Sequence, residues 1–209
     1  MKMEKVLLLN MPFISLSRPA IGISLLKARL AEEGLACDIA YPNLSFADRV
    51  GKDAYELISD HLSPAFFAGD WLFAQHLFSD RLDLATYEAS LRQHLKEEGR
   101  FEMLMGMRSA IQPYLDECLE EFRILEYRII GFTTSFEQNM ASLALAHTML
   151  EMNRREIYVS DGVMRLYKVA RKWEQEGRGP WLTLKNKLRE EWTVWVLEKG
   201  RNPQTWSRQ

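Results

Sequence analysis

The chain has 209 residues, 47% of them hydrophobic, which is enough to bury one good core and suits one domain plus an appendage. A net charge of −2 argues against a dedicated nucleic-acid binder, and no stretch approaches the ~18 apolar residues of a membrane span, so neither nucleic acid nor membrane is an expected partner. The overall charge hides an asymmetry: residues 153–209 hold 13 Lys/Arg against 7 Asp/Glu (+6), leaving 14 against 22 (−8) for residues 1–152.

In chain order, Val6–Leu9 is an unbroken apolar run, the pattern of a strand buried on both faces of a parallel sheet. The run is too short for a signal peptide, and a soluble, cytoplasmic protein is expected. Asn10, Met11, Pro12 and Phe13 begin a loop, because Pro12 has no N–H to give a ladder. Ser17-Arg18-Pro19 then predicts a helix start, with a hydroxyl cap and a first-turn proline. Ile21, Leu25 and Ala28, with Leu26 and Leu30 one step round, form its apolar stripe, and Gly34 is its stop. Strand, loop and amphipathic helix make the first βα unit of a doubly wound sheet, whose ligands lie outside the carboxyl ends of the strands.

The second strand is predicted at Cys37–Tyr41, and the next sheet signal comes only at Arg128–Thr133. A parallel crossover needs about a dozen residues, so the helical material at about 44–127 reads as an insertion. Two roles stand open for it: a lid over the ligand site, or a helical layer that enlarges the core. Its segment Ser63–Phe78 is rich in aromatics (Phe66, Phe67, Trp71, Phe73, Phe78), which suits either a pocket for a flat ligand or an apolar packing seam.

Ile129–Phe132 is the third strand, and Thr133-Thr134-Ser135 turn polar at its carboxyl end. Ser135-x-x-Gln138 has the form of a capping box for a helix that is apolar on nearly every side. Sequential strands of such sheets are usually neighbours, so this loop is expected beside Asn10–Arg18. Two hydroxyl-rich loops backed by helix N-termini suit an anionic or multiply hydrogen-bonding ligand. Neither is a G-x-G-x-x-G or G-x-x-x-x-G-K-[ST] fingerprint. No Ser, Cys or His sits in a nucleophile motif; the four histidines (His61, His76, His94, His147) fall on predicted helices in unrelated contexts, and Cys37 and Cys118 are far apart.

Three ordered stretches, VLLLNMPF…SRPAIGISLLKARLAEEG, AGDWLFAQHLF and IIGFTTSFEQNMASLALA, resemble the amino-terminal region of the RiPP maturation radical-SAM C-methyltransferases over roughly residues 5–152. These enzymes modify ribosomally made peptides. The resemblance implies a Rossmann-like or flavodoxin-like cobalamin-binding domain over residues 1–162. It also implies that Asn10, Met11, Pro12, Phe13, Ser17 and Arg18, with Pro19, form one wall of the cobalamin pocket, and Thr133, Thr134, Ser135 and Gln138 the other.

The chain also departs from that pattern. The cluster signature C-x-x-x-C-x-x-C is absent, and two distant cysteines cannot hold an iron–sulfur cluster. The D-x-H-x-x-G motif that supplies a lower-face His to cobalamin is missing as well. The chain is therefore expected not to catalyse alone, with a separately encoded radical-SAM barrel and a precursor peptide as its partners. Glu156–Val159 reads as a fourth strand, but Ser160-Asp161-Gly162 does not continue as the family's glycine-rich loop. Residues 163–209 read as a basic, Trp-rich helical tail (about Met164–Gln175 and Leu182–Glu198) that docks on the acidic body. Two other functions fit the residues: a protein-interaction module on the same fold, and a flavodoxin-like flavin binder.

Overall fold

The computed structural model describes residues 5–78, 85–95, 99–127, 129–135 and 137–153. The expected fourth strand, the Ser160–Gly162 turn and the 163–209 tail lie outside them.

The described chain is mixed α/β. Three parallel strands, β1 (Lys5–Leu9), β2 (Ala36–Ala40) and β3 (Ile129–Phe132), are ordered β2-β1-β3, with Val6 facing Cys37 on one side and Ile129 on the other. β1 is central, as its apolar run requires. Its side chains alternate between the two faces of the sheet. Leu7 and Leu9 join the larger buried cluster, whereas Val6 and Leu8 join a small one with Ile23 and Cys37.

Helix α1 (Ile21–Glu32) connects β1 to β2 on the face of Val6 and Leu8. It begins four residues after Ser17 with no side-chain cap, and the Ser17 hydroxyl lies 3.0 Å from that of Ser15. The expected stripe is turned outward: Ile21, Leu25 and Leu26 are 62%, 66% and 54% exposed, while Ile23 and Leu30 face the sheet. Apolar residues lie on both sides of this helix, and the small Val6–Leu8–Cys37 surface accepts the 23/30 side. Gly34 ends it at φ +75°, a left-handed conformation that costs glycine nothing.

Between β2 and β3 the chain forms α2 (Pro42–Val50), α3 (Lys52–Glu56), a π-turn (Leu57–His61), a 3-10 turn (Pro64–Phe66), α4 (Ala68–Phe78), α5 (Ala85–His94), α6 (Arg100–Gly106) and α7 (Arg108–Glu121). α8 (Asn139–Asn153) follows β3. Phe46, Tyr55, Trp71, Phe73, Leu91, Leu104 and Leu115 from these helices are fully buried in one cluster with Leu7 and Leu9. The aromatic segment is thus a packing seam. Phe73 meets Phe46 at 5.4 Å between centroids, and Trp71 stacks on Tyr87 at 5.3 Å. No helix among the described residues is long and apolar enough to cross a membrane.

Candidate functional site

Because β1 and β3 are adjacent and parallel, their carboxyl ends leave the sheet side by side. Asn10 continues the ladder one step, its N–H donating to Ala40 O, and Thr133 does the same toward Leu9 O. Beyond that point the two loops are joined by side chains. The Met11 N–H donates to Thr133 Oγ1 at 2.9 Å, and Gln138 Nε2 donates to Met11 O at 2.5 Å. The Phe13 N–H donates to Glu137 O at 3.3 Å. Residues 122 and 127 positions apart in the chain are therefore one structure.

The ten residues expected to line the mouth divide by depth. Asn10, Met11, Pro12, Phe13 and Gln138 are buried, Thr133 and Thr134 are half-buried, and Ser17, Arg18 and Ser135 are exposed. The buried five form a floor. The ring of Phe13 rests against Tyr55, Phe46 and Phe73, with centroids at 4.9, 5.6 and 6.4 Å. The Tyr55 hydroxyl donates to Ile14 O, accepts from Ile14 N–H, and is pushed far up in pKa by burial. Asn10 Nδ2 donates to Asn43 Oδ1 at 3.2 Å. Ser17 and Arg18 do not meet the second loop in any described contact. They lie on the rim instead, where the Asp60 carboxyl is held below the usual range by the Ser59 hydroxyl, with Ser15, Arg18 and His61 adding to the effect.

The capping-box expectation is corrected. Ser135 Oγ donates to Gln138 Oε1, side chain to side chain, and α8 starts only at Asn139. The cap comes from a distance: Asp70 Oδ1, in the first turn of α4, accepts the Met140 N–H at 2.9 Å. A buried carboxylate offers the helix N-terminus a charge as well as an acceptor, which a local hydroxyl cannot match. Glu137 reciprocates at α4, its Oε2 accepting from Gly69 N–H at 2.6 Å. Burial and the facing Asp70 carboxylate hold the Glu137 carboxyl far above its usual range, against the pull of the α4 backbone N–H groups. Asp70, Glu137, Asn43 and Asn139 are site residues that the loop motifs do not reveal. The one signal in the sequence is an acid inside an apolar aromatic run, FFAGDWLF.

Two buried oxygens here, Asn10 Oδ1 and Asn139 Oδ1, have no hydrogen-bond partner among the described residues. Among those residues, no group of three or more His, Cys, Asp and Glu is placed to hold a metal ion. Burial raises the thiol pKa of both cysteines, that of Cys118 to about 12, and so disfavours their thiolate forms. The arrangement therefore provides hydroxyls, amides and one rim guanidinium for binding, with no nucleophile–base pair among them. No protein-family model, no curated protein and no solved structure matches the chain.

Proposed function

We propose that this chain is a doubly wound, cobalamin-binding-like domain of a RiPP maturation radical-SAM methyltransferase system, non-catalytic alone, with the helices between β2 and β3 as an insertion in that fold. One observation supports it above others. The first and third of the stretches that carry the family resemblance converge at the carboxyl ends of β1 and β3, wired together through Met11, Thr133 and Gln138. In the sheet order β2-β1-β3 the chain passes from β1 to β2 on one side and then returns to β3 on the other, and ligands of doubly wound sheets bind at such a switch point.

Cobalamin would supply a transferable methyl group; the chain's own task would be to bind and orient it. The fit is to the rim. Within the floor, Met11, Phe13 and Gln138 are bonded across the two loops; Ser17, Arg18, Thr133, Thr134 and Ser135 are the more exposed of the ten and would meet a ligand first. Asn10 Oδ1 and Asn139 Oδ1 ask for an N–H or O–H donor, the kind of group that the carboxamide arms of a corrin carry. None of the ten residues is a histidine, so they would offer cobalamin no imidazole. A separately encoded barrel would hold the iron–sulfur cluster and receive the precursor peptide.

The test is a spectrophotometric titration with hydroxocobalamin of the wild type and Ser17→Trp. The exposed Ser17 can take an indole without disturbing the floor, so circular dichroism should stay unchanged while affinity falls tenfold or more. Absence of wild-type binding at ~100 µM ligand, weaker than about −5.5 kcal/mol, would sink the cobalamin reading. Equal binding by both proteins would move the ligand away from this mouth.

A second reading, a protein-interaction module, is favoured by the outward face of α1, where Ile21, Leu25 and Leu26 are all more than half exposed.

A further inference from the structure

The second loop holds a carboxylate that ligand binding at the rim does not use. Glu137 has φ +70°, a left-handed backbone for an L residue, and its carbonyl holds the Phe13 N–H. Its side chain enters the N-terminus of α4, where Oε2 accepts from Gly69 N–H at 2.6 Å and faces Asp70 N–H at 3.4 Å. Asp70 answers by taking the Met140 N–H of α8 and facing Asn139 Nδ2 at 3.4 Å. Each acid thus caps the other's helix, and the two are only 4% and 5% exposed. Their approach depends on residue 69 being glycine: a Cβ there would stand 2.5 Å from the Phe13 ring and 3.0 Å from the Glu137 carboxylate.

We propose that Glu137 is the positioning residue of this mouth and works with Asp70 as a proton-operated clasp: a proton retained by the carboxylate pair holds Glu137 and Gln138 against α4 and Phe13, and loss of that proton loosens them. Two carboxylates buried together repel when both are ionised, so such a pair retains a proton beyond the range of a free acid. Among the described residues, the groups that face it include Asp70 from α4 and Tyr87 from α5, whose own pKa burial pushes up, ahead of the nearby acids. Arg108 from α7 stacks on Trp71, next to Asp70 in sequence, and is paired with Glu88. The first loop presents Phe13 to Glu137 through its backbone N–H.

The sign of the pH dependence separates this clasp from an ordinary anionic cap. With Glu137 raised above the ordinary 4.5, stability is fullest below that value and is lost as pH rises through the folded pKa. A plain anionic cap gives the opposite, stability lost on acidification.

The experiment uses the full chain without ligand, so failure of cobalamin binding leaves the clasp standing. Melting temperature and amide exchange at Gly69 and Met140, corrected for intrinsic rate, are followed from pH 5 to pH 8. Wild type should lose roughly 3 °C or more, and the two amides should open at least tenfold more often. Glu137→Gln, which keeps an acceptor for Gly69 but carries no charge, should be flat across the range. Glu137→Ala should be destabilised throughout. A wild-type slope of the opposite sign, or an unchanged slope in Glu137→Gln, would overturn the clasp. So would a slope that vanishes in His76→Gln or His147→Gln.

Discussion

On one side of β1, Leu7 and Leu9 enter a cluster built from α2 and every later helix, with Phe46, Trp71, Phe73 and Tyr114 at its centre. On the other side, Val6 and Leu8 meet Ile23 of α1 and Cys37 of β2, with Leu30, Ile39 and Ile129 half-buried around them. The two faces of one strand thus carry very different shares of the burial. At about 25 cal/mol per Å² of apolar surface, most of the hydrophobic stabilisation lies on the first face. The candidate site goes with that face as well, because its floor residues Met11, Phe13 and Gln138 are held by α2, α4 and α8. The α1 face can vary or take a partner at little cost to the site.

The comparison is broken most easily by truncating one residue on each side. Phe73→Ala leaves a cavity among rigid aromatic neighbours and should cost about 3–5 kcal/mol. Ile23→Ala should cost about 2 kcal/mol, the low end for its type, because half-exposed neighbours can settle into the space. Urea denaturation measures both. Equal costs would mean that the α1 face is as well covered as the other.

A smaller effect sharpens the link between the thick face and the mouth. Thr133→Val keeps the shape and strand propensity of the residue but removes the acceptor for the Met11 N–H. A buried donor left unpaired costs about 1–3 kcal/mol. The melting temperature should fall by roughly 2–4 °C for each of those kcal/mol, with Gln138 still holding Met11 O. No change would show that the loops are kept together by packing alone.

How much of this is legible in the sequence differs between the same two faces. Val6–Leu9 declares a buried parallel strand, and Ile129–Phe132 with the polar turn after it declares its partner; both pairings and the meeting of their loops follow. The phase of α1 is not legible, since Ile21/Leu25 and Ile23/Leu30 are equally apolar and only the small Val6–Leu8–Cys37 surface decides between them. The start of α8 is hidden for another reason. Ser135 and Gln138 satisfy a local rule, but the cap arrives from Asp70, nearly seventy residues earlier, and local rules carry no information about it. Pro42 serves equally as a strand terminator and as the first residue of a helix, so α2 begins earlier than the apolar periodicity alone indicates.

The smallest expected effect tests the thin face directly. Leu25 is 66% exposed and lies one helical turn before Arg29, which already pairs with Glu32 and Glu33. Leu25→Glu replaces an apolar side chain in water with a charged one and adds an (i, i+4) Glu–Arg pair of about 0.3 kcal/mol. Surface changes away from special features stay within about 0.5 kcal/mol, so the melting temperature should barely move and solubility should rise. Ile23→Glu, two residues away, would bury a charge against Val6 and Leu8 and should unfold the first βα unit. If Leu25→Glu instead costs more than about 1 kcal/mol, this face is covered in solution. Repeating the measurement over a tenfold range of protein concentration then identifies the cover: a cost that changes with dilution belongs to a second molecule, and a constant one to this chain itself.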